Sequence, residues 1–151
     1  MRIIGGKYRS RVLAEFEGMD VRPTGDRVRE ALFNILSLKI YGARALDLFC
    51  GSGALGLEAL SRYAAGATLI EMDRAVSQQL IKNLATLKAG NARVVNSNAM
   101  SFLAQKGTPH NIVFVDPPFR RGLLEETINL LEDNGWLADE ALIYVESEVE
   151  N

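Results

Sequence analysis

The segment Arg44-Ala45-Leu46-Asp47-Leu48-Phe49 runs into Cys50-Gly51-Ser52-Gly53-Ala54-Leu55-Gly56 and constrains the fold more than any other stretch. An apolar strand, a glycine-rich turn and a helix carrying Leu57, Ala59, Leu60 and Tyr63 open a nucleotide-binding α/β unit. The glycines permit a tight turn and close backbone approach to a ligand, and the helix start offers free N–H groups. Gly51, Gly53 and Gly56 satisfy G-x-G-x-x-G, and Glu71 stands 20 positions after Gly51, at the end of Ala67-Thr68-Leu69-Ile70. A carboxylate there suits ribose hydroxyls, so a dinucleotide enzyme is one reading.

Asp47 argues against that reading. It puts a carboxylate inside the pocket, four residues before the first glycine, where a pyrophosphate would have to approach. Two like charges there repel with little solvent to screen them. A ligand bearing an ammonium and a sulfonium, such as S-adenosylmethionine, is favoured instead. A second motif points the same way. Asp116-Pro117-Pro118-Phe119 ends the apolar run Ile112-Val113-Phe114-Val115. Proline has no N–H and fixes φ, and the residue before it is held extended. The tetrapeptide is therefore stiff and rich in acceptors, with an aromatic available to stack. It suits presentation of a planar base amine, whose two protons need acceptors and whose π-face needs a partner. The plainer alternative is a strand stopping at a Pro-Pro turn with a surface aromatic.

Four blocks in order carry a family resemblance across the whole chain. They are Arg2-Ile3-Ile4-Gly5-Gly6-Lys7; Arg22-Pro23-Thr24 with Asp26-Arg27-Val28-Arg29-Glu30-Ala31-Leu32-Phe33-Asn34; Asp47-Leu48-Phe49 with Gly51 through Arg62; and Asp116-Pro117-Pro118-Phe119. The chain resembles the bacterial 16S (small-subunit) ribosomal RNA guanine-N2 methyltransferases, which are class I S-adenosylmethionine-dependent enzymes. Gly25 departs from the family's usual Thr or Ser. The first fifty or so residues resemble one branch of the family and the remainder another. The family pattern has strand order 3-2-1-4-5 and two further strands, which would follow Asn151. Without them strand five would be an exposed edge, inviting pairing between chains. We therefore expect marginal stability or self-association through that edge, limited by Glu146, Glu148 and Glu150.

The resemblance implies roles for particular residues. Asp47 and the Gly51-Ser52-Gly53 turn would hold the methionine part of the cofactor, Glu71 would take the ribose hydroxyls, and Asn98 with Ala99 would meet the adenine. Phe49, Met72 and Asp116 would also belong to the cofactor site. Asp116, Pro117, Pro118 and Phe119 would hold the target guanine. For Glu71 the alternatives are an ordinary strand-end acid, or Asp73 in its place. For Asn98 the alternative is a helix N-cap. Cys50 reads as packing rather than as a nucleophile, and His110 as a surface loop residue without metal partners. Trp136, after Asn134-Gly135, reads as packing a helix-to-strand turn. Arg22, Arg27 and Arg29 are expected to face cofactor or RNA.

The net charge of −2 hides an asymmetry that bears on the partner. Residues 1–50 carry 9 Lys and Arg against 6 Asp and Glu, whereas residues 51–151 carry 8 against 13. A polyanion would meet the N-terminal part. Lys7, Arg9 and Arg11 alternate beside Tyr8, so on a strand they share one face. With Arg22, Arg120 and Arg121 they are the expected RNA contacts, the last two alternatively beginning a solvated helix. One cysteine, no charged-then-apolar leader and no apolar run of ~20 residues point to a cytoplasmic protein. The expected partner is 16S rRNA, within a small ribosomal subunit or its assembly intermediate, with no metal and no membrane.

The pattern predicts a basic β extension over 1–25 and a cofactor-binding domain over 26–151. Helices are expected at 26–38, 53–64, 74–88 and 121–133, with a short one through Phe102 and Leu103. Val28, Leu32, Ile35 and Leu36 form the first helix's stripe, capped by Thr24 or Asp26. Strands are expected at 44–49, 67–72, 93–96, 112–115 and 141–146. Strands alternating with helices make a doubly wound, mostly parallel Rossmann-like sheet with its site at the strand C-termini. Asp47, Gly51, Glu71, Asn98 and Asp116 all fall there. Three rivals remain at this level: a DNA amino-methyltransferase, a non-catalytic cofactor-binding fragment, and a nicotinamide oxidoreductase.

Overall fold

The computed structural model describes residues 1–14, 25–117 and 121–146, the side chain of Arg121 excepted. Five parallel strands, β1 (Arg44–Asp47), β2 (Gly66–Glu71), β3 (Ala92–Asn96), β4 (His110–Val115) and β5 (Leu137–Val145), pair in the order β3-β2-β1-β4-β5. That is the expected order. Six helices connect or precede them: α1 (Asp26–Ile35), α2 (Ser37–Ile40), α3 (Ala54–Ser61), α4 (Arg74–Leu87), α5 (Ala99–Leu103) and α6 (Arg121–Asp133). Among the described residues no helix is long and apolar enough to cross a membrane.

Alternation along the strands divides the core in two. Ala45, Ala67, Leu69, Ile112 and Phe114 pack with α1, α3 and α4 on one face. Leu46, Ile70, Val113 and Val115 pack with Phe102, Leu103, Leu131 and Trp136 on the other. Trp136 donates its indole N–H to the Leu103 carbonyl at 3.0 Å and lies 4.7 Å from the Phe102 ring. It does pack a helix-to-strand turn. β5 begins four residues earlier than expected, because a register shift between His110 and Ile112 lets Leu137 pair His110 and Leu142 pair Ile112.

The first helix departs from its predicted stripe. Arg29, Leu32, Phe33 and Leu36 face inward, while Val28 and Ile35 are exposed. Burying Phe33 against Phe114, with ring centroids 5.9 Å apart, contributes about 1.5–3 kcal/mol of transfer free energy. Its N-cap is Gly25 without a side-chain cap; Thr24 lies outside the described residues, and Asp26 instead accepts from Arg29 at 2.6 Å.

The N-terminal extension is not a regular hairpin. Among the described residues a single bridge joins Arg2 to Val12, and Gly6–Tyr8 make one 3-10 turn. Lys7, Arg9 and Arg11 therefore do not line one strand face. Lys7 lies over the rings of Tyr8 and Tyr63, and Arg11 donates to the Thr86 carbonyl. What holds this segment is α3, which is buried on every side. Glu58, fully buried, accepts from the backbone N–H groups of Ile4 (2.8 Å) and Gly5 (2.9 Å) and from Arg62 Nε (2.9 Å). Ser61 donates to the Gly5 carbonyl and accepts from Tyr8 N–H. Arg29 lies 3.8 Å from Glu58. Sequence reading missed this latch; its only signal was a Glu inside an otherwise apolar helix.

Removing the Glu58 carboxylate leaves Arg62 Nε and two backbone donors without their acceptor and the buried Arg29 without one of its two counter-charges. Glu58→Ala is expected to cost about 3–5 kcal/mol in urea unfolding and to expose residues 1–14 to limited proteolysis. A variant as stable and as protease-resistant as the parent contradicts the latch.

Candidate functional site

Parallel strands with right-handed crossovers deliver every loop at a strand C-terminus to the same edge of the sheet. Asp47 ends β1, Glu71 ends β2 and Asp116 follows β4, so three carboxylates far apart in sequence converge. Asp47 is only 4% exposed. Its Oδ2 accepts from the Gly56 N–H at 3.1 Å, which pins it beneath the first turn of α3. A Cβ at Gly56 would lie 2.1 Å from Leu69 Cδ2, so only glycine lets the helix come this close to the sheet. Gly53, at φ +80, supplies the left-handed bend that starts α3.

This burial has an electrostatic consequence. Desolvation, with Asp116 and Glu71 repelling from the side, pushes the Asp47 carboxyl up to about 7, against the lowering effect of the Gly56 hydrogen bond. Burial, reinforced by Asp47 and Glu71, also raises the Cys50 thiol well above its ordinary value. Cys50 is thus a poor nucleophile, in keeping with its reading as packing.

Glu71 is fixed by backbone. Its Oε1 accepts from Gly51 N–H (3.1 Å) and its Oε2 from Asp73 N–H (2.7 Å). Each oxygen keeps a second acceptor position, so ribose hydroxyls remain compatible with both bonds. Asp73 caps α4, its Oδ1 accepting from the Ala75 and Val76 N–H groups, which fixes it to its own helix. Asn98 caps α5 by accepting from Met100 (2.8 Å) and Ser101 (3.4 Å). The capping alternative is therefore realised, and only its amide group, 3.8 Å from Met72 Sδ, and the backbone beside buried Ala99 remain for an adenine. Asn96 donates to the Glu71 and Met72 carbonyls and stiffens this wall; its strand-end position was legible in the sequence, but its role was not. Phe49 packs against the core beneath α5 and α6, with Ser52 half-buried beside the turn.

Pro117 follows Asp116 at the mouth, half-buried. Pro118, Phe119 and Arg120 lie outside the described residues, as does Arg22. Arg121 begins α6. Arg27 and Arg29, which the sequence left unresolved, are separated: Arg27 is exposed, whereas Arg29 is 2% exposed and turns to Asp26 and Glu58. Arg29 therefore faces neither cofactor nor RNA. His110 is not on the surface either. It is buried as the first residue of β4, its Nδ1 is 2.7 Å from the Thr108 carbonyl, and burial lowers its pKa. Among the described residues no cluster of His, Cys, Asp and Glu is able to hold a metal.

The arrangement is a pocket with a glycine floor, backbone-fixed carboxylates and a surplus of negative charge. It suits a ligand with positive charge near Asp47 and hydroxyls near Glu71. The folded-state pKa of Asp47 lies above the ordinary carboxylate value, so its neutral form stabilises the fold below pH ~4 and that contribution is lost as pH rises through about 7. Ligand-free Asp47→Asn is therefore expected to exceed the parent in urea stability by a few kcal/mol at about pH 8, the margin shrinking towards about pH 4. A margin independent of pH contradicts the assignment.

The model of the family described as Conserved hypothetical protein 95 matches residues 1–151. The chain is 83% identical over 151 residues to the ribosomal RNA small subunit methyltransferase D of Escherichia coli strain K12, covering 100% of this chain and 76% of that protein. The protein of the same name from Haemophilus influenzae is 49% identical, over 98% of this chain and 79% of its own length. A solved structure from Escherichia coli superposes with a TM-score of 0.94 at 84% identity, covering 99% of this chain and 82% of that one.

Proposed function

The chain belongs to the family described as Conserved hypothetical protein 95, and from that premise we propose that it methylates the exocyclic N2 amine of a guanine in 16S ribosomal RNA. It is an enzyme of the methyltransferase class, built on the Rossmann-like α/β fold. The methyl donor is S-adenosylmethionine, and the substrate is presented in the cytoplasm by the small subunit or an assembly intermediate.

One observation carries the reading of the donor. Three carboxylates converge on a glycine turn with Asp47 forced up to about 7, and a sulfonium with an ammonium offsets that charge where a pyrophosphate would add to it. In this reading Asp47 and the Gly51–Gly53 turn bind the methionine part, Glu71 the ribose, and the backbone at Asn98 and Ala99 the adenine. When bound, S-adenosylmethionine supplies an electrophilic methyl group on a positively charged sulfur.

The protein's own contribution is to the acceptor amine. Guanine N2 is a weak nucleophile because its lone pair is delocalised into the ring. The Asp116 carboxylate and the Pro117 carbonyl accept hydrogen bonds from the two amine N–H groups, favour a pyramidal nitrogen and stabilise the positive charge that develops there, and the one proton that the methyl group displaces leaves by way of the Asp116 carboxylate to solvent. Preorganised partners of this kind typically account for ~3–4 kcal/mol each. Phe119 stacks on the base, and in-line placement supplies the rest. No covalent enzyme intermediate is needed. DNA amino-methyltransferases share this acceptor logic; the 83% identity to a protein named for ribosomal RNA favours RNA.

Asp116→Ala is expected to lose far less in S-adenosylmethionine affinity, measured by calorimetry, than in turnover. It should lose about a hundredfold or more in turnover on unmodified small subunits with labelled donor. Turnover near the parent value removes the role assigned to Asp116, and equal transfer to naked DNA removes the substrate reading.

A further inference from the structure

At the opposite end of the sheet, below the N-terminal ends of the strands, lies a cavity of about 260 Å³. Its origin is the difference in length between two helices. α4 spans Arg74–Leu87 on one face, whereas on the other α5 is only Ala99–Leu103 and α6 packs beside it. The lower half of that second face stays open. Leu46, Ile70 and Val95 belong to the core under α5, so Arg44, Thr68 and Arg93, two residues earlier on their strands, point to the same side.

Thr68 pairs with Arg93, and Arg44 pairs with Gly66. The two arginines therefore rise from strands β1 and β3, roughly 10 Å apart across β2. Arg44, Arg93, Thr68, Asn91, Gly66 and His110 line the cavity, and no carboxylate does. Arg44 reaches only the Thr108 hydroxyl, at 3.4 Å, and Arg93 has neither an ion pair nor a side-chain hydrogen bond among the described residues. Two guanidiniums left without acid partners over a threonine and a glycine form an anion cradle, with forks matched to phosphate oxygens.

The cavity is smaller than the ~300–1,000 Å³ that encloses a whole cofactor-sized ligand. It fits one unit of a polymer. It also lies roughly 15–20 Å from the carboxylate mouth, the length of a strand, so a ligand small enough for it does not reach the reacting atoms. We propose that this groove binds a phosphodiester of the RNA substrate, as a contact remote from methyl transfer. The proposal rests on the RNA reading above and adds a place where the chain grips the backbone.

The test compares the parent with Arg44→Gln/Arg93→Gln and with the charge-keeping Arg44→Lys/Arg93→Lys, using small-subunit RNA over a range of salt. The glutamine pair is expected to lower the slope of log affinity against log salt by about 2 and to weaken binding about tenfold or more at low salt. The lysine pair should recover most of the slope. An unchanged slope in the glutamine pair overturns the proposal. So does inorganic phosphate that saturates the groove at low salt without competing with RNA, which would assign it to a small phosphorylated molecule. Donor binding, measured in parallel, separates the two readings. Loss of the RNA effect with donor binding intact sinks the groove alone, whereas failure of the parent to bind donor sinks the methyl-transfer site and leaves the groove standing.

Discussion

Three carboxylates brought together at one edge of the sheet are the constraint around which the rest is organised. Asp47, Glu71 and Asp116 repel one another, and Asp47 is held where water cannot screen it. The fold tolerates this because α3 is seated directly over Asp47, with the Gly56 N–H donating to it and no Cβ in the way. Glu71 is locked by two backbone donors in the same way. A site with acceptors held by backbone donors and three carboxylates close together is preorganised for a cation, and little rearrangement is needed when one binds.

α3 carries a second buried acid, and the contrast between the two is informative. Asp47 sits under the start of the helix with no cation opposite it among the described residues. Glu58 sits on its last turns with Arg62 at 2.9 Å, Arg29 at 3.8 Å and two backbone donors around it. Glu58 is satisfied by the fold itself, and it ties the N-terminal extension and α1 to the helix. The burden of that network falls on Arg29, whose Nε and Nη1 have no hydrogen-bond partner. Leaving such donors unmade is costly, so the network specifies an arrangement more than it adds stability.

Much of this was legible in the chain. The strand–turn–helix over 44–61, the glycines and the strand-end acids announce a doubly wound sheet and one pocket, because a parallel sheet admits few arrangements. The errors have physical causes. Val28 and Ile35 looked like core on periodicity alone, yet the inward stripe passes through Arg29, because a buried charge can replace an apolar residue when an acid waits opposite. Lys7, Arg9 and Arg11 alternate as a strand would, but the chain there bends into a 3-10 turn held by Glu58 and Ser61, partners more than fifty residues away. His110 read as a loop residue because the register shift that brings it into β4 depends on β5.

By itself the amino-acid sequence determined the element types, since hydrophobic period and glycine turns are local properties, and the strand order was expected through the family resemblance. Only the tertiary structure decided which acids are strained and which are satisfied, which arginine is buried, and that two guanidiniums beside a short α5 have no acid partner among the described residues. Those outcomes depend on distances between residues far apart in the chain. Burial and Coulomb interactions follow such distances, and spacing along the sequence does not encode them.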